Sequence, residues 1–403
     1  MTEPMLSDDS LAITLLCAHL GSPRKLGLAP LSDSEWDSLA ERIAHSALKS
    51  PSDMFGSSAE RIRDELGIQL ALAERIARLL ARSGQMAFEL DRLISTGIWV
   101  LTRADSHYPK QLRRRLRSRM PALFFGLGDR ASLSSPGVAV VGSRDLDDAS
   151  LLFANLTGRS AAKANLTLYS GASRGADLTA MRGTLEAGGA AVGVLADSLE
   201  RSLQEPQTRQ YLSTSSLCLI SPFHPNAPFR AGNAMARNKV IYCLASFAMV
   251  VASTAEKGGT WAGATEALKN QWIPVFVRTT QDAPAGNHLL LKFGAIPIPP
   301  NSSVDQNLLA DWMRSVLGDT NHSRGSLGAE RHELFEIAWP LIATFLYVPR
   351  TEEEVASRFE VVLEQVAAWL GTAESRGLAH RSTHGWLTGS AADPTQRSLF
   401  DDL

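Results

Sequence analysis

Six short apolar runs alternate with longer helical patterns between residues 138 and 279. They read "VAVVGS" (138–143), "LTLYSG" (166–171), "AAVGVLA" (190–196), "LCLISPF" (217–223), "FAMVVAS" (247–253) and "IPVFVRT" (273–279). A strand apolar along its whole length is covered on both faces of its sheet. Spacers of roughly ten or more residues are what a helical crossover between parallel strands requires. The pattern predicts an α/β domain over 121–300, a Rossmann-like doubly wound parallel sheet. In such a sheet, ligands sit outside the carboxyl ends of the strands.

Three of those ends carry unusual chemistry. "VVGSRD" places Gly142, Ser143 and Arg144 after the first run, and "YSGASRGAD" places Ser170, Gly171, Arg174 and Gly175 after the second. After the fifth, "STAEKGGTWAGATEA" leads through Lys257, Gly258, Gly259 and Thr260 into a helix. "AGNAMARNKVIYCLAS" adds Arg237, Asn238 and Lys239 at a helix start ahead of that fifth run. Glycine lets a backbone approach an anion closely, and helix N-terminal amides point at it. Hydroxyls donate to phosphate oxygens, and arginine forks onto them. One such turn is ordinary turn chemistry. Three on one edge of one sheet point to a bound polyanion. The G-x-G-x-x-G spacing of a dinucleotide site is absent, and no cofactor is expected.

Bulk charge does not decide the ligand. Forty basic and 42 acidic side chains leave a formal charge of −2, so any positive surface is local. The most basic stretch holds Arg113, Arg114, Arg115, Arg117 and Arg119, which reads equally as an extended nucleic-acid path or a solvated helix face. Cys17, Cys218 and Cys243 are far apart and lack CxxC spacing, as buried thiols of a reducing compartment would be. No run reaches membrane-spanning length and the N-terminus lacks signal-peptide order, so a soluble, cytoplasmic protein is expected.

The flanks differ in texture. Residues 1–120 read as helical, with a short strand at Trp99–Leu101. Residues 301–330 are polar, as a linker would be. Three helices and a hairpin over 331–388 outline a winged helix. Its third helix, "LEQVAAWLGTAESRG", has one arginine, and its wing has His380, Arg381 and His384. A protein-contact module therefore fits as well as a DNA reader. The flexible tail, 389–403, contains "QRSLF". Gln396, Leu399 and Phe400 there match the peptide that docks bacterial proteins onto the polymerase sliding clamp.

The segments "YPKQLRRRLRSRMPALFFGLGD", "VAVVGSR", "SGASRGAD", "ARNKVI" and "GGTWAGATEAL" together resemble the DNA-processing protein A family, DprA or Smf. The resemblance implies a Rossmann-like core that binds single-stranded DNA without catalysis and loads the recombinase RecA during natural transformation. It implies a strand-binding pocket of Gly142, Ser143, Arg144, Gly171, Arg174, Arg237, Asn238 and Lys239. It further implies a small N-terminal domain of the SAM or helix-hairpin-helix kind, and a homodimer. The chain departs from the family where "AMARNK" replaces a Phe-Pro-Arg-Arg-Asn-Arg run, losing one arginine and an aromatic. Phe223, His224 or Phe229 then supplies the stacking face. These departures mark a divergent branch, for which a regulatory role in phage defence stands beside transformation.

An enzymatic alternative exists in phosphoribohydrolases of the LOG type, which need an arginine and a Glu in a GGxGTxxE turn. This chain offers Arg237 and "GGTWAGATE", but Gly263 stands where the glutamate belongs and Glu266 comes three residues late. Glu266 reads as a helix-surface acid.

Overall fold

A computed structural model of the chain describes residues 6–21, 27–303, 305–359, 361–383 and 385–388. These fall into two compact units, Met1–Leu317 and Gly318–Leu403.

The first unit opens with α1 (Asp8–Cys17), α2 (Asp33–His45), α3 (Ala59–Leu66), α4 (Leu70–Leu80) and α5 (Ser83–Ser95). Their starts follow local rules. Ser32 and Glu35 exchange hydrogen bonds with each other's backbone amides, a capping box that begins α2. Ser7 and Ser58 cap α1 and α3. Arg75 of α4 donates to Glu35 at 2.7 Å and to the Ala29 and Pro30 carbonyls. That hydrogen bond holds the Glu35 carboxyl down at about 2. The apolar stripes of these helices do not close a core of their own. Ile13, Leu16, Trp36, Ile76 and Leu93 join one cluster with Phe125, Leu166 and Leu219 of the sheet region. The expected separate domain over 1–120 is thus part of the larger unit.

The sheet has nine strands: β1 (Trp99–Thr102), β2 (Leu123–Leu127), β3 (Gly137–Val141), β4 (Thr167–Ser170), β5 (Ala191–Val194), β6 (Leu217–Ser221), β7 (Phe247–Val250), β8 (Val275–Val277) and β9 (Ile296–Pro297). Their order is β1-β2-β6-β5-β4-β3-β7-β8-β9. Strands β3 to β8 pair in parallel, as the apolar runs predict, and β9, which no run announced, joins β8 in parallel. The edge corrects the expectation of a purely parallel sheet, because β1 and β2 pair antiparallel and β2 joins β6 antiparallel. The strand expected within the helical region is therefore the sheet's own edge. Helices α6 (Lys110–Leu116), α7 (Asp148–Lys163), α8 (Ala176–Glu186), α9 (Leu199–Ser202), α10 (Pro206–Ser213), α11 (Ala231–Leu244), α12 (Gly258–Lys269) and α13 (Ala285–Leu291) connect the strands.

Strand order reverses between β3 and β7. From β3 the chain steps outward through β4, β5 and β6, then returns to lay β7 on the other side of β3, with Val138 opposite Phe247 and Val141 opposite Val250. Helices leaving neighbouring strands diverge at such a reversal, and a crevice opens beyond the strand ends.

The expected linker over 301–330 is replaced by α14 (Gln306–Phe345). Leu309, Ala310 and Met313 are fully buried, and the Trp312 ring meets Phe276 edge-on at 4.9 Å between centroids. Apolar residues three and four apart inside a polar stretch decide the matter over its composition. The second unit continues with α15 (Glu352–Phe359), α16 (Leu363–Ser375) and the antiparallel hairpin of β10 (Ala379–Ser382) and β11 (Gly385–Thr388). Phe335, Ile342, Leu346, Val355, Val366, Leu370 and Trp386 form its core. Arg381 of the hairpin lies over the Trp386 ring at 5.7 Å. His384 and the tail residues Gln396, Leu399 and Phe400 lie outside the described residues. Among the described residues no helix is long and apolar enough to cross a membrane, and no group of three metal-ligating side chains converges.

Candidate functional site

The turns after β3, β4 and β7 are sewn together by their own backbones. The Ser143 amide donates to the Ala252 carbonyl at 2.9 Å, joining the turn after β3 to the segment after β7. The Ala176 amide donates to the Ser143 carbonyl at 3.2 Å, joining the turn after β4 to the same place. Gly175 makes this possible with φ +90 and with the Ser143 and Arg144 carbonyls where a Cβ would stand.

Asp177, in the first turn of α8, is the knot. It is 7% exposed, and the backbone amides of Ser173, Gly142 and Gly171 favour its charged form. Burial pushes its carboxyl up to about 6, with the Arg237 charge and the three amides pulling the other way.

Arg237 enters from α11 and is 3% exposed. Its Nη2 donates to Ser173 Oγ at 2.9 Å, while Nε and Nη1 have no partner among the described residues. Burial lowers its pKa, opposed by Asp177 and Asp197. A buried guanidinium with unpaired N–H groups is costly, and an anion arriving beside it offsets that cost.

Around this floor opens a cleft of about 770 Å³, at the reversal between β3 and β7. Gly142, Ser143 and Arg144 line it from one side, and Gly258, Gly259 and Thr260 from the other. Arg237 and Asn238 come from α11, with Asn238 Nδ2 holding the Gly259 carbonyl at 3.1 Å. The first-turn amides of α12 have no partners inside their own helix and favour negative charge. A smaller cavity of about 410 Å³ adjoins across the ends of β4 and β5, lined by Gly171, Arg174 and Asp197 and sharing Arg144, Ser173, Phe229 and Arg237 with the cleft. The Arg144 guanidinium lies 4.8 Å above the Phe229 ring.

Three expected residues line neither cavity, the first being Gly175, which is held in its turn against the Ser143 and Arg144 carbonyls. The Ser170 hydroxyl is fully buried and donates to the Val140 carbonyl at 2.6 Å. Lys239 follows Arg237 by two positions, roughly 200° around the helix, and lines neither space. Arg174 is exposed at the rim, paired with Asp145. Glu266 does not line the cleft; its carboxylate lies 3.9 Å from Arg119 on the surface. The arginine-rich stretch is largely engaged in packing. Arg115 donates to the Cys243 and Ala245 carbonyls at the end of α11, and Arg119 to Asn270. Asp177 and Ser173 were missed as site residues. Their signal is the spacing within "SGASRGAD", where the acid falls two positions after the glycine that turns the chain.

The sequence profile of the family described as DNA recombination-mediator protein A matches residues 99–308. This chain belongs to that family. The match begins at β1 and ends within the first turn of α14, so it spans the whole sheet. Within the family, Protein Smf of Escherichia coli (strain K12) is 29% identical over 283 residues, covering 65% of this chain and 73% of the relative. The crystal structure of DNA processing protein A from Streptococcus pneumoniae aligns at TM-score 0.53 and 20% identity, over 70% of this chain and 96% of that one. DNA processing protein A from Helicobacter pylori, described for its single-stranded DNA binding, aligns at TM-score 0.43 and 20% identity, over 54% and 95%. The fold is that of a DNA-processing protein, and membership assigns the chain to DNA recombination.

Proposed function

We propose that this chain binds single-stranded DNA in the cleft at the β3–β7 reversal, as a non-enzymatic member of its family. One observation carries the reading. Arg237 is buried at the cleft floor with two nitrogens unpartnered, beneath loops whose glycines and amides suit a phosphate. Phe229, 45% exposed beside Arg144, offers a base-stacking face that needs no particular sequence. A cleft serving one small phosphate compound would have little use for the adjoining cavity, which shares Arg144 and Arg237 and lengthens the positive track. The placement of Glu266 on the surface speaks against nucleotide hydrolysis, which needs a carboxylate near the ribose.

The second unit, with helices ahead of a hairpin, reads as a winged helix that contacts protein rather than DNA. The deciding measurement is a gel shift with single-stranded, double-stranded and inorganic phosphate competitors. Single strands are expected to compete best and to lose their hold in the Arg237→Met variant. Equal competition by phosphate alone overturns the reading. Release of free base from nucleoside monophosphates overturns its non-enzymatic part.

A further inference from the structure

A third cavity lies on the far side of the segment that carries Phe229. It measures about 660 Å³ and opens between the start of α2, strand β2 and residues 222–233. Nothing in the cleft described above uses it.

Its wall is mostly apolar, with hydrogen-bonding groups set into it. Leu31, Leu123 and Phe125 are buried there, with the half-buried Phe223 ring beside them. The polar part includes the exposed Asp33 at the mouth, with His224 and Asn233, beside His19, Ser32, Asn226 and Arg230. Asp33 takes the Ala122 amide on Oδ1 at 3.0 Å, and its second oxygen has no donor among the described residues. His224 accepts the Asn226 amide on Nδ1 at 3.0 Å, so its neutral ring carries the proton on Nε2 and can donate. Burial lowers the His224 pKa and keeps the ring neutral, although Glu200 and Glu89 pull upward. Flat apolar walls with donors and acceptors at one edge suit a planar heterocycle.

The position of the cavity narrows the class further. Pro228 and Arg230 line it, while Phe229 between them lines the main cleft and its neighbour. Arg230 is extended, with φ −136 and ψ 136, and side chains alternate along an extended chain. One thickness of backbone therefore separates the two spaces.

We propose that this cavity receives a nucleobase from the strand whose phosphates lie in the cleft, an inference that rests on the reading above. The free carboxylate oxygen of Asp33 accepts from an exocyclic amino group, which adenine, cytosine and guanine carry and thymine lacks. The pocket thus adds base preference to a grip that is otherwise indifferent to sequence.

The test measures fluorescence anisotropy of the full chain with labelled oligonucleotides of equal length: alternating dA and dC, all dT, and a backbone of abasic units. The expected order is dA/dC over dT by about tenfold, on the scale of one stacked and hydrogen-bonded base. Asp33→Asn should bring that ratio below about two. Phe223→Ala should weaken dA/dC binding and leave the abasic backbone unchanged, with Phe223→Leu and a thermal melt guarding against a folding defect. Equal binding of dA/dC and dT, with both variants like the parent, overturns the pocket and leaves the cleft standing. Failure of all three oligonucleotides to bind overturns both.

Discussion

The Arg237 guanidinium occupies the space that a Cβ on Gly171 would fill. Position 171 is thus a glycine because of the arginine, sixty-six positions along, that crosses it. Gly171→Ala should push the guanidinium aside, since a side-chain end yields more readily than the β4 backbone. Oligonucleotide affinity should fall about tenfold or more while stability changes by about 1 kcal/mol or less. Anisotropy and a chemical melt on the same preparation check both halves. Undiminished affinity would show that Arg237 grips nothing from where it stands.

Acidity should strengthen the grip. The Asp177 carboxyl is raised to about 6 from an ordinary 3.8, chiefly by burial. The folded state therefore holds the proton more tightly than the unfolded chain. Its contribution to stability is full below the unfolded value and is lost as pH rises through about 6. The charged groups coupled to Asp177 and Arg237 are each other, Asp197 and Arg144. With Asp177 neutral, less negative charge opposes Arg237. Affinity should rise roughly threefold from about pH 7.5 to about pH 5.5 at fixed salt, and Asp177→Asn should flatten the profile.

Arg174 should contribute little energy but a measurable salt dependence. It is exposed and already paired with Asp145, and such surface pairs are weak. Arg174→Ala should reduce affinity about two- to threefold and lower the slope of log affinity against log salt by about 0.7, the value for one phosphate of a single strand. An unaltered slope removes Arg174 from the interface.

Trp312 should hold the sheet's far edge. Its ring packs edge-on against Phe276 and Phe247. Trp312→Ala should cost about 3 kcal/mol in denaturant unfolding of the first unit, and a chain ending at residue 305 should aggregate where one ending at 317 does not. Equal stability of the two truncations refutes the assignment of this helix to the sheet.

The parallel strands β3 to β8 were legible because their runs are largely apolar, and the turns because glycine, hydroxyl and a basic residue recur at three strand ends. What escaped was written in weaker signals. Strand β1 was expected, but its antiparallel seat was not, because it pairs with β2, a strand outside the six alternating runs that is itself antiparallel to β6. The start of α14 is polar in composition, and its buried face is four residues within a longer polar stretch. Ser170 and Lys239 looked like ligands by neighbourhood. Strand pleat turned the first inward to Val140, and helix pitch turned the second away. The role of Asp177 as a knot depends on amides from two turns that only the fold brings together.

The two walls of the cleft are adjacent in space yet distant along the chain, because β3 and β7 pair across more than a hundred residues. Closing so long a loop is a late event in folding. During synthesis the emerging polypeptide has no groove at all until α12 has left the ribosome. A half-finished copy therefore lacks the groove proposed to take nucleic acid.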